Sequence, residues 1–317
     1  MDNNINFNTG VIDEHIVDSR LYNYETICAS SQIAFPVVYE LPKENCGKIK
    51  NQGSVGACAA CAMTALGEVL YGILTGEKEE MSEGWAYGSY RNEDSIGEGL
   101  IVSQALDYWK TKGMLPKKYF DILYEMPDMK NMLKDYPELD EIAKRFKING
   151  YVSINWADKE RKDFEIKDAI TKYGYGLIAV IPNFDRGQSH AVLITGWNDT
   201  NNTYIFQNSW GTNYGSRKDG FGAISKDRES YVYLVLLNGL ELPFTDVNKN
   251  DWFYKNVKNN YFSGIMKGTS ETTFEPDKNL TRAEAAALID RIRKEYDERF
   301  AILNKVIEEK LSKVKMY

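Results

Sequence analysis

Residues Lys50–Cys58 limit the possible folds of this chain more than any other stretch, because a glycine-rich segment runs there into a helix with a cysteine at the junction. From Cys58 to about Thr75, apolar side chains recur at helical spacing. The amino-terminal end of a helix carries partial positive charge and N–H groups that lack intrahelical partners. A thiol in such a position ionises readily and acts as a nucleophile. The stretch therefore predicts a reactive cysteine.

Further polar residues complete a possible catalytic group. Gln52 lies six residues before Cys58, a spacing that lets its side-chain amide fold back beside the sulfur. His190 opens an apolar strand, and it is one of only two histidines in 317 residues. Asn208 ends a neighbouring strand, where its side chain can accept a hydrogen bond from the imidazole and set its tautomer. Trp210 follows and would shield that hydrogen bond from water.

Three segments of the chain resemble the papain-like cysteine peptidases. They are Gln52–Cys58, Ser189–Val192 and Asn208–Gly215, and the resemblance covers about residues 35–240. The order Gln, Cys, His, Asn and the spacings match that family. The resemblance implies an α+β fold with a helical lobe and an antiparallel β lobe. It also implies a hydrolase, a cysteine endopeptidase that acts on protein or peptide substrates and needs neither a cofactor nor a metal.

The same resemblance implies a role for each residue. Cys58 would be the nucleophile, held as a thiolate beside the His190 imidazolium, and His190 would also protonate the leaving amine. Asn208 would orient His190. The Gln52 side chain and the Cys58 backbone N–H would form the oxyanion hole, where loss of one donor typically costs about 10²–10³ in rate.

The substrate cleft is a second expectation from the resemblance. Gly97 and Gly99 lie where the family has a glycine-rich segment that binds substrate backbone, although an ordinary turn before a helix explains them equally well. Trp210 is the third expected substrate contact. Two residues depart from the family: Val55 replaces a cysteine that forms a disulfide, and Ala59 replaces a tryptophan. These changes concern the shape of the cleft, and the lack of disulfides resembles bacterial members.

The four cysteines leave other interpretations open. Cys58 and Cys61 form a Cys-x-x-Cys pair like that of thioredoxin-like redox proteins, but no strand leads into it. A zinc site built from the cysteines and the two histidines would have no compact ligand spacing. We therefore predict no metal site and interpret Cys61 as part of the core face of the helix.

Helical patterns come first in the chain and β-patterns follow, which predicts an α+β fold with the two types segregated. The expected helices cover 58–75, 82–91, 101–112, 138–146 and 163–173. The expected strands cover 150–155, 175–181, 190–197, 203–207 and 231–236. His190 is expected to follow a loop at 184–189.

The composition changes after Pro243, and five short elements resemble one S-layer homology repeat at about 244–295. The expected structure is a helix that bears Trp252, a loop with glycines, and a second helix capped by Thr281. The resemblance implies attachment to an anionic cell-wall polysaccharide, with Arg282 as the charge-assisted contact. A solvated arginine in the first turn of a helix is the alternative. Such repeats usually come in threes, and this stretch holds one.

The chain divides into four expected parts. These are a leader or short pro-like segment at 1–34, the peptidase domain at 35–240, the repeat at 241–295, and an amphipathic helix at 296–317. The apolar stripe of that helix continues from Thr281 almost to Tyr317. It predicts either packing on the catalytic domain of the same chain or self-association into a homo-oligomer.

Composition and the chain start bear on location. The net charge of −7 argues against a nucleic-acid partner, and the lack of a long apolar run predicts no membrane span. The polar start of the chain is unlike a signal peptide. The repeat nevertheless indicates the cell surface or the extracellular space. Three alternatives follow: a signal peptide has been removed, the protein is produced in the cytoplasm and exported by another route, or it is not exported.

Two further functions compete with a peptidase. One is a Cys–His amidase or transpeptidase that acts on peptidoglycan, which the repeat would suit equally well. The other is a non-catalytic cell-wall-binding protein with a degenerate peptidase domain. The presence of Gln52, Cys58, His190 and Asn208 together favours the peptidase.

Overall fold

A computed structural model describes residues 22–23, 34–91, 98–126, 128–154, 158–237, 242, 244–248, 250–262, 265–270 and 272–293. The helices are α1 Cys58–Thr75, α2 Glu83–Ser89, α3 Val102–Lys112, α4 Asp128–Leu133, α5 Glu138–Ala143, α6 Lys159–Tyr173 and α7 Tyr254–Phe262. The strands are β1 Tyr22–Asn23, β2 Val38–Glu40, β3 Gly150–Ile154, β4 Leu177–Asp185, β5 Gln188–Asn198, β6 Thr203–Gln207, β7 Phe221–Ser225 and β8 Tyr231–Leu236. Most of the leader, Gly97 and the helix predicted at 296–317 lie outside the described residues.

The strands form one sheet in the order β1-β3-β8-β4-β5-β6-β7, and β2 pairs with β5 outside that path. Every described pair is antiparallel except β1 with β3. The helices α1 to α5 precede β3 in the chain and only α6 lies among the later strands. The predicted α+β class is confirmed, whereas α4 and β7 were not predicted because both are short and have little periodicity.

The segment before His190 differs from the predicted loop. Strands β4 and β5 form a hairpin in which Asp185 pairs with Gln188, and only Arg186 and Gly187 make the turn. Both turn residues have left-handed φ angles, 49° and 80°, as a two-residue hairpin turn requires. His190 is consequently the third residue of β5. The pairing of β5 with β4 fixes its backbone position.

Helix α1 forms the centre of the core. Thirteen of its 18 residues are buried, and Gly76 ends it in the left-handed conformation. Gly47 lies against this helix so closely that a Cβ atom there would come within 2.0 Å of the Ala65 carbonyl oxygen. Among the described helices, α1 alone is long and apolar enough to cross a membrane, and 72% of it is buried inside the protein. That burial is typical of a core helix.

The C-terminal part has a small core of its own, made of Leu242, Phe244, Val247 and Val257. Helix α7 packs near α1, and the Lys258 ammonium donates a hydrogen bond to the Ile73 carbonyl at 3.0 Å. Trp252 was predicted on a helix, but it lies in the turn before α7 and is 87% exposed.

The second helix of this part covers residues 282–293 of the described chain. Thr281 caps it as predicted: its hydroxyl accepts the Glu284 N–H at 3.2 Å, and the Glu284 carboxylate accepts the Thr281 N–H at 2.8 Å.

Candidate active site

Cys58 is the first residue of α1 and is fully buried. No side chain caps this end of the helix and its first turn carries no acidic residue, so the positive end of the helix dipole is directed at the thiol. The sulfur accepts the backbone N–H of Ala191 at 3.4 Å. The thiol therefore lies at the start of β5, beside the residue that follows His190.

The His190 imidazole is held by Asn208. The distance from Nε2 to the Asn208 side-chain oxygen is 2.7 Å, and both residues are buried. The same oxygen accepts the Ser209 N–H at 2.8 Å, so the amide can act only as acceptor toward the ring. Nε2 is therefore the protonated nitrogen. Nδ1 is buried and has no hydrogen-bond partner among the described residues, so it is the ring nitrogen that remains able to accept a proton.

Two aromatic rings enclose the imidazole. The ring centroid of Trp210 lies 4.8 Å from that of His190, and the centroid of Phe184 lies 4.9 Å from it. Tyr214 packs edge-on against Trp210 at 5.2 Å. These rings keep water from the bond between His190 and Asn208, which strengthens it. The shielding by Trp210 was predicted, whereas Phe184 was missed because it precedes a turn that was read as a loop.

Burial sets the electrostatics of the site. It lowers the pKa of His190 to about 4, and the hydrogen bond to Asn208 and the charge of Asp185 only partly counter this effect. A charged imidazolium in this place therefore requires an anion beside it. A thiolate at Cys58 would supply that charge, and proton transfer from the thiol to the imidazole would create both charges together.

Gln52 is fixed on both ends of its amide. Its Oε1 accepts the Ser209 hydroxyl at 2.5 Å, and its Nε2 donates to the Val55 carbonyl at 2.8 Å. Its backbone N–H donates to the Ser209 carbonyl at 2.9 Å. This arrangement brings Gln52 into the same cluster as Asn208, because Ser209 contacts both. Ser209 lies 157 residues away in sequence and was not predicted to have a role.

A buried ion cluster holds the segment that precedes Gln52. The Lys50 ammonium forms ion pairs with Glu68 and with Glu83, the latter at 2.8 Å, and the three side chains are almost fully buried. Attraction to the two carboxylates keeps the pKa of Lys50 above its usual value despite the opposing effect of burial. The cluster therefore joins the segment before Cys58, residues 50–57, to α1 and α2.

Glu98 makes a contact that the sequence did not reveal. Its carboxylate accepts the Met126 N–H at 2.7 Å, the Gly56 N–H at 3.3 Å and the Tyr87 hydroxyl. Gly56 lies two residues before Cys58 and next to Val55, the position at which the family has a disulfide cysteine. The Glu98 carboxylate thus connects the segment before Cys58 to Tyr87 and Met126 without a covalent bond.

Two of the three predicted substrate contacts, Gly99 and Trp210, lie among the described residues. Gly99 has a φ angle of 96°, its N–H donates to the Tyr87 hydroxyl at 3.1 Å, and its carbonyl accepts from Arg91 at 2.8 Å. It lies next to Glu98, whose carboxylate contacts the segment before Cys58. The roles of Gly99 and Trp210 in substrate binding stay predictions, as does that of Gly97, which lies outside the described residues.

The other thiol of the Cys-x-x-Cys pair has a different environment. Cys61 is buried in the core face of α1, and desolvation raises its pKa well above the ordinary value. This disfavours the redox interpretation. Across the described ranges no cluster of three or more His, Cys, Asp or Glu side chains has a geometry that suits a metal ion.

Comparison with known proteins identifies the two parts of the chain. Residues 38–234 match the model of the papain family of cysteine proteases, and residues 243–286 match the S-layer homology domain. The first match covers well over half of the chain. The chain therefore belongs to the papain family and carries an S-layer homology domain.

Individual relatives agree with this assignment. A cysteine protease of Blomia tropicalis is 23% identical over 209 residues, which are 58% of this chain and 59% of that protein. The chain thus spans about three-fifths of the length of this curated relative. The surface-layer 125 kDa protein of Lysinibacillus sphaericus is 31% identical over 81 residues, or 24% of this chain and 7% of that protein.

Solved structures show the same fold. Xylellain, a cysteine protease from Xylella fastidiosa, superposes with a TM-score of 0.58 at 17% identity, over 75% of this chain and 98% of that one. At this identity the likeness concerns the fold, and it confirms the papain-like architecture that the motifs implied.

Proposed function

We propose that this protein is a cysteine endopeptidase of the bacterial cell surface. The observation that carries the proposal is the chain of contacts from Cys58 through the start of β5 to His190 and from His190 to Asn208, with the 2.7 Å hydrogen bond at its end. Nucleophilic catalysis by cysteine requires three groups. They are a thiol that ionises readily, a base that can take up and release its proton, and a residue that orients the base.

The proposed reaction has two stages. In the first, the Cys58 thiolate attacks the carbonyl carbon of the scissile amide, and the resulting oxyanion lies near the Gln52 amide and the Cys58 N–H. The C–N bond then breaks as the His190 imidazolium gives its proton to the departing amine. In the second stage, neutral His190 takes a proton from water, whose oxygen attacks the thioester. The acid product leaves and the thiol is restored.

Labelling tests this assignment. The full chain is treated with a thiol-directed epoxide, the adduct is mapped by mass spectrometry, and cleavage of casein and of peptidoglycan is measured before and after. We expect a single adduct at Cys58 and loss of casein cleavage. An adduct at Cys61 would revive the redox interpretation. Cleavage of peptidoglycan with no cleavage of casein would instead favour the Cys–His amidase or transpeptidase.

Attachment to a wall is the second part of the proposal. S-layer homology domains generally bind cell-wall polysaccharides, and Arg282 is exposed at the start of the helix that Thr281 caps. We assign Arg282 as the contact to an anionic group of that polymer.

Self-association through the C-terminal helix is the third part. In the described stretch 282–293, Ile289 is 61% exposed and Ile292 is 36% exposed, which supports a partner for these two apolar side chains. A second copy would cover them and bring two single repeats together. Light scattering at tens of micromolar protein tests this: we expect a dimer or larger, and a strict monomer would refute it.

A further inference from the structure

A large cavity lies at the junction of the peptidase domain and the S-layer homology domain. Its volume is about 610 Å³, in the range of cavities that bind small molecules. Tyr71 and Thr75 line it from the C-terminal half of α1, and Tyr261 lines it from α7. Because α1 rises about 1.5 Å per residue, Tyr71 lies about 20 Å from Cys58. The cavity is therefore separate from the candidate active site.

The charges around this cavity all have one sign. Every charged residue that lines it is a cation, and these are Lys110, Lys118, Lys144, Arg145 and Lys147. Such a lining is unexpected in a chain whose net charge is −7. Lys118 and Lys144 form ion pairs with Glu79 and Glu141, neither of which lines the cavity.

Two of these cations have no such neutralising contact. Neither Lys110 nor Lys147 has an ion-pair partner among the residues that the structure describes, and both side chains are exposed. An anionic group in the cavity would therefore meet two positive charges that no carboxylate of the described protein balances.

The apolar part of the lining is rich in aromatic residues. Tyr71, Tyr119, Phe146 and Tyr261 all contribute to it. Tyr71 packs edge-on against Phe146 with the ring centroids 5.4 Å apart. Tyrosine rings present flat apolar faces with a polar tip, so they contact the ring of a sugar and also hydrogen-bond its hydroxyl groups.

We propose that this cavity binds an anionic saccharide: its sugar rings lie on the tyrosines and its acidic groups face Lys110 and Lys147. The proposal rests on the proposed attachment to a wall polymer. Since Tyr261 comes from α7 and the cations come from the peptidase domain, the site would be complete only when both domains are present. A single repeat would then gain part of its binding surface from the enzyme that it carries.

Calorimetry with defined sugars tests the proposal. The full chain is titrated with hexagalacturonate, which bears carboxylates, with neutral chitohexaose, and with inorganic phosphate. We expect binding of hexagalacturonate that weakens as salt is added, and at least tenfold weaker binding of the other two. Equal binding of chitohexaose would remove the role of charge. Equal binding of phosphate would mark a simple anion site and overturn the assignment to a saccharide.

Matched variants locate the site. The double variant Lys110→Gln with Lys147→Gln should bind hexagalacturonate about fivefold more weakly, as loss of two exposed charge pairs implies. Lys134→Gln with Lys172→Gln removes two exposed lysines that do not line the cavity and should change nothing. An equal loss in both double variants would refute the cavity as the site. Casein cleavage at the wild-type rate would show that each variant is folded.

Two more variants separate this site from other parts of the protein. Tyr261→Ala should weaken binding of hexagalacturonate about fivefold, whereas Tyr261→Phe keeps the ring and should retain most of it. Arg282→Gln should leave binding of this probe within twofold, since Arg282 does not line the cavity. If Arg282→Gln abolished the binding and Tyr261→Ala did not, the cavity proposal would fail while wall attachment through the repeat would stand.

Discussion

The candidate active site and the S-layer homology domain place their candidate residues in opposite environments. Cys58, His190, Asn208 and Gln52 are each at most 3% exposed and hydrogen-bond to segments far away in sequence. In the repeat, Trp252 is 87% exposed, and Arg282 is also at the surface. Buried polar groups that lose a partner carry a large energetic penalty, whereas exposed ones return to water. Changes at the first site should therefore have large effects on rate, and changes at the second should have small ones.

The two cysteines of α1 provide the largest expected contrast. Cys58→Ala should lower kcat/KM on casein about 10⁴-fold or more, because it removes the proposed nucleophile. Cys61→Ala, on the same helix and equally buried, should retain activity within about tenfold, since it removes only core packing. Initial rates on casein measure both. The peptidase assignment would be wrong if Cys58→Ala kept substantial activity.

Loss of the proposed oxyanion donor Gln52 should give the next largest decrease in rate. Gln52→Ala should lower kcat about 10²–10³-fold, as removal of an oxyanion donor does. Ser209→Ala removes only the hydroxyl that holds Gln52 Oε1 and should cost about tenfold or less. Single-turnover rates with a peptide amide give both values. A larger loss for Ser209→Ala than for Gln52→Ala would show that Gln52 acts mainly as a structural residue.

The pH dependence follows from the burial of His190. With a pKa of about 4, neutral His190 serves as base above that pH, and below it the ring is protonated while the thiol keeps its proton. We expect kcat/KM to fall about tenfold per pH unit below about 4. Asp185→Asn removes a charge that raises this pKa, so the acid limb should move to lower pH. An acid limb near pH 6.5 would contradict burial as the dominant cause.

Glu98 should have a moderate effect. Glu98→Gln leaves one acceptor oxygen for its three donors, so the segment before Cys58 should lose part of its connection to Met126 and Tyr87. We expect kcat/KM to fall about three- to tenfold, which corresponds to one weakened hydrogen bond. The rate of epoxide labelling at Cys58 should fall in parallel. Glu80→Gln, a change to a surface carboxylate, is the control and should leave both rates unchanged.

The repeat gives the smallest effect on catalysis. Arg282→Gln should leave casein cleavage within about twofold, because exposed charges contribute little to the stability of the rest of the protein. Sedimentation with purified bacterial walls should nevertheless show a smaller bound fraction. Arg293→Gln, on the same helix, is the matched control and should bind walls as the unmodified chain does. Equal loss with both variants would indicate attraction by general charge.

Much of this protein can be read from local sequence. The apolar spacing of 58–75 predicted α1 with the right bounds, and the β-rich runs predicted five of the strands near their observed positions, because periodicity depends on neighbours in the chain. The motifs around Cys58, His190 and Asn208 implied the fold and the family, and both implications were confirmed. Local patterns were less useful for Trp252, which was predicted on a helix, and for the turn at Arg186, which was predicted as a longer loop. At both places a few residues of irregular backbone decide the local structure.

Only the tertiary structure showed how the site is held together. Ser209 contacts Gln52 across 157 residues, and Glu98 contacts Gly56 across 42. No periodicity links such pairs, since their proximity depends on how the sheet packs against α1. The low pKa of His190 likewise comes from burial between Phe184 and Trp210, a property of the assembled core. The sequence by itself therefore determined which chemical groups this protein has, and the packing decided their neighbours and their charge.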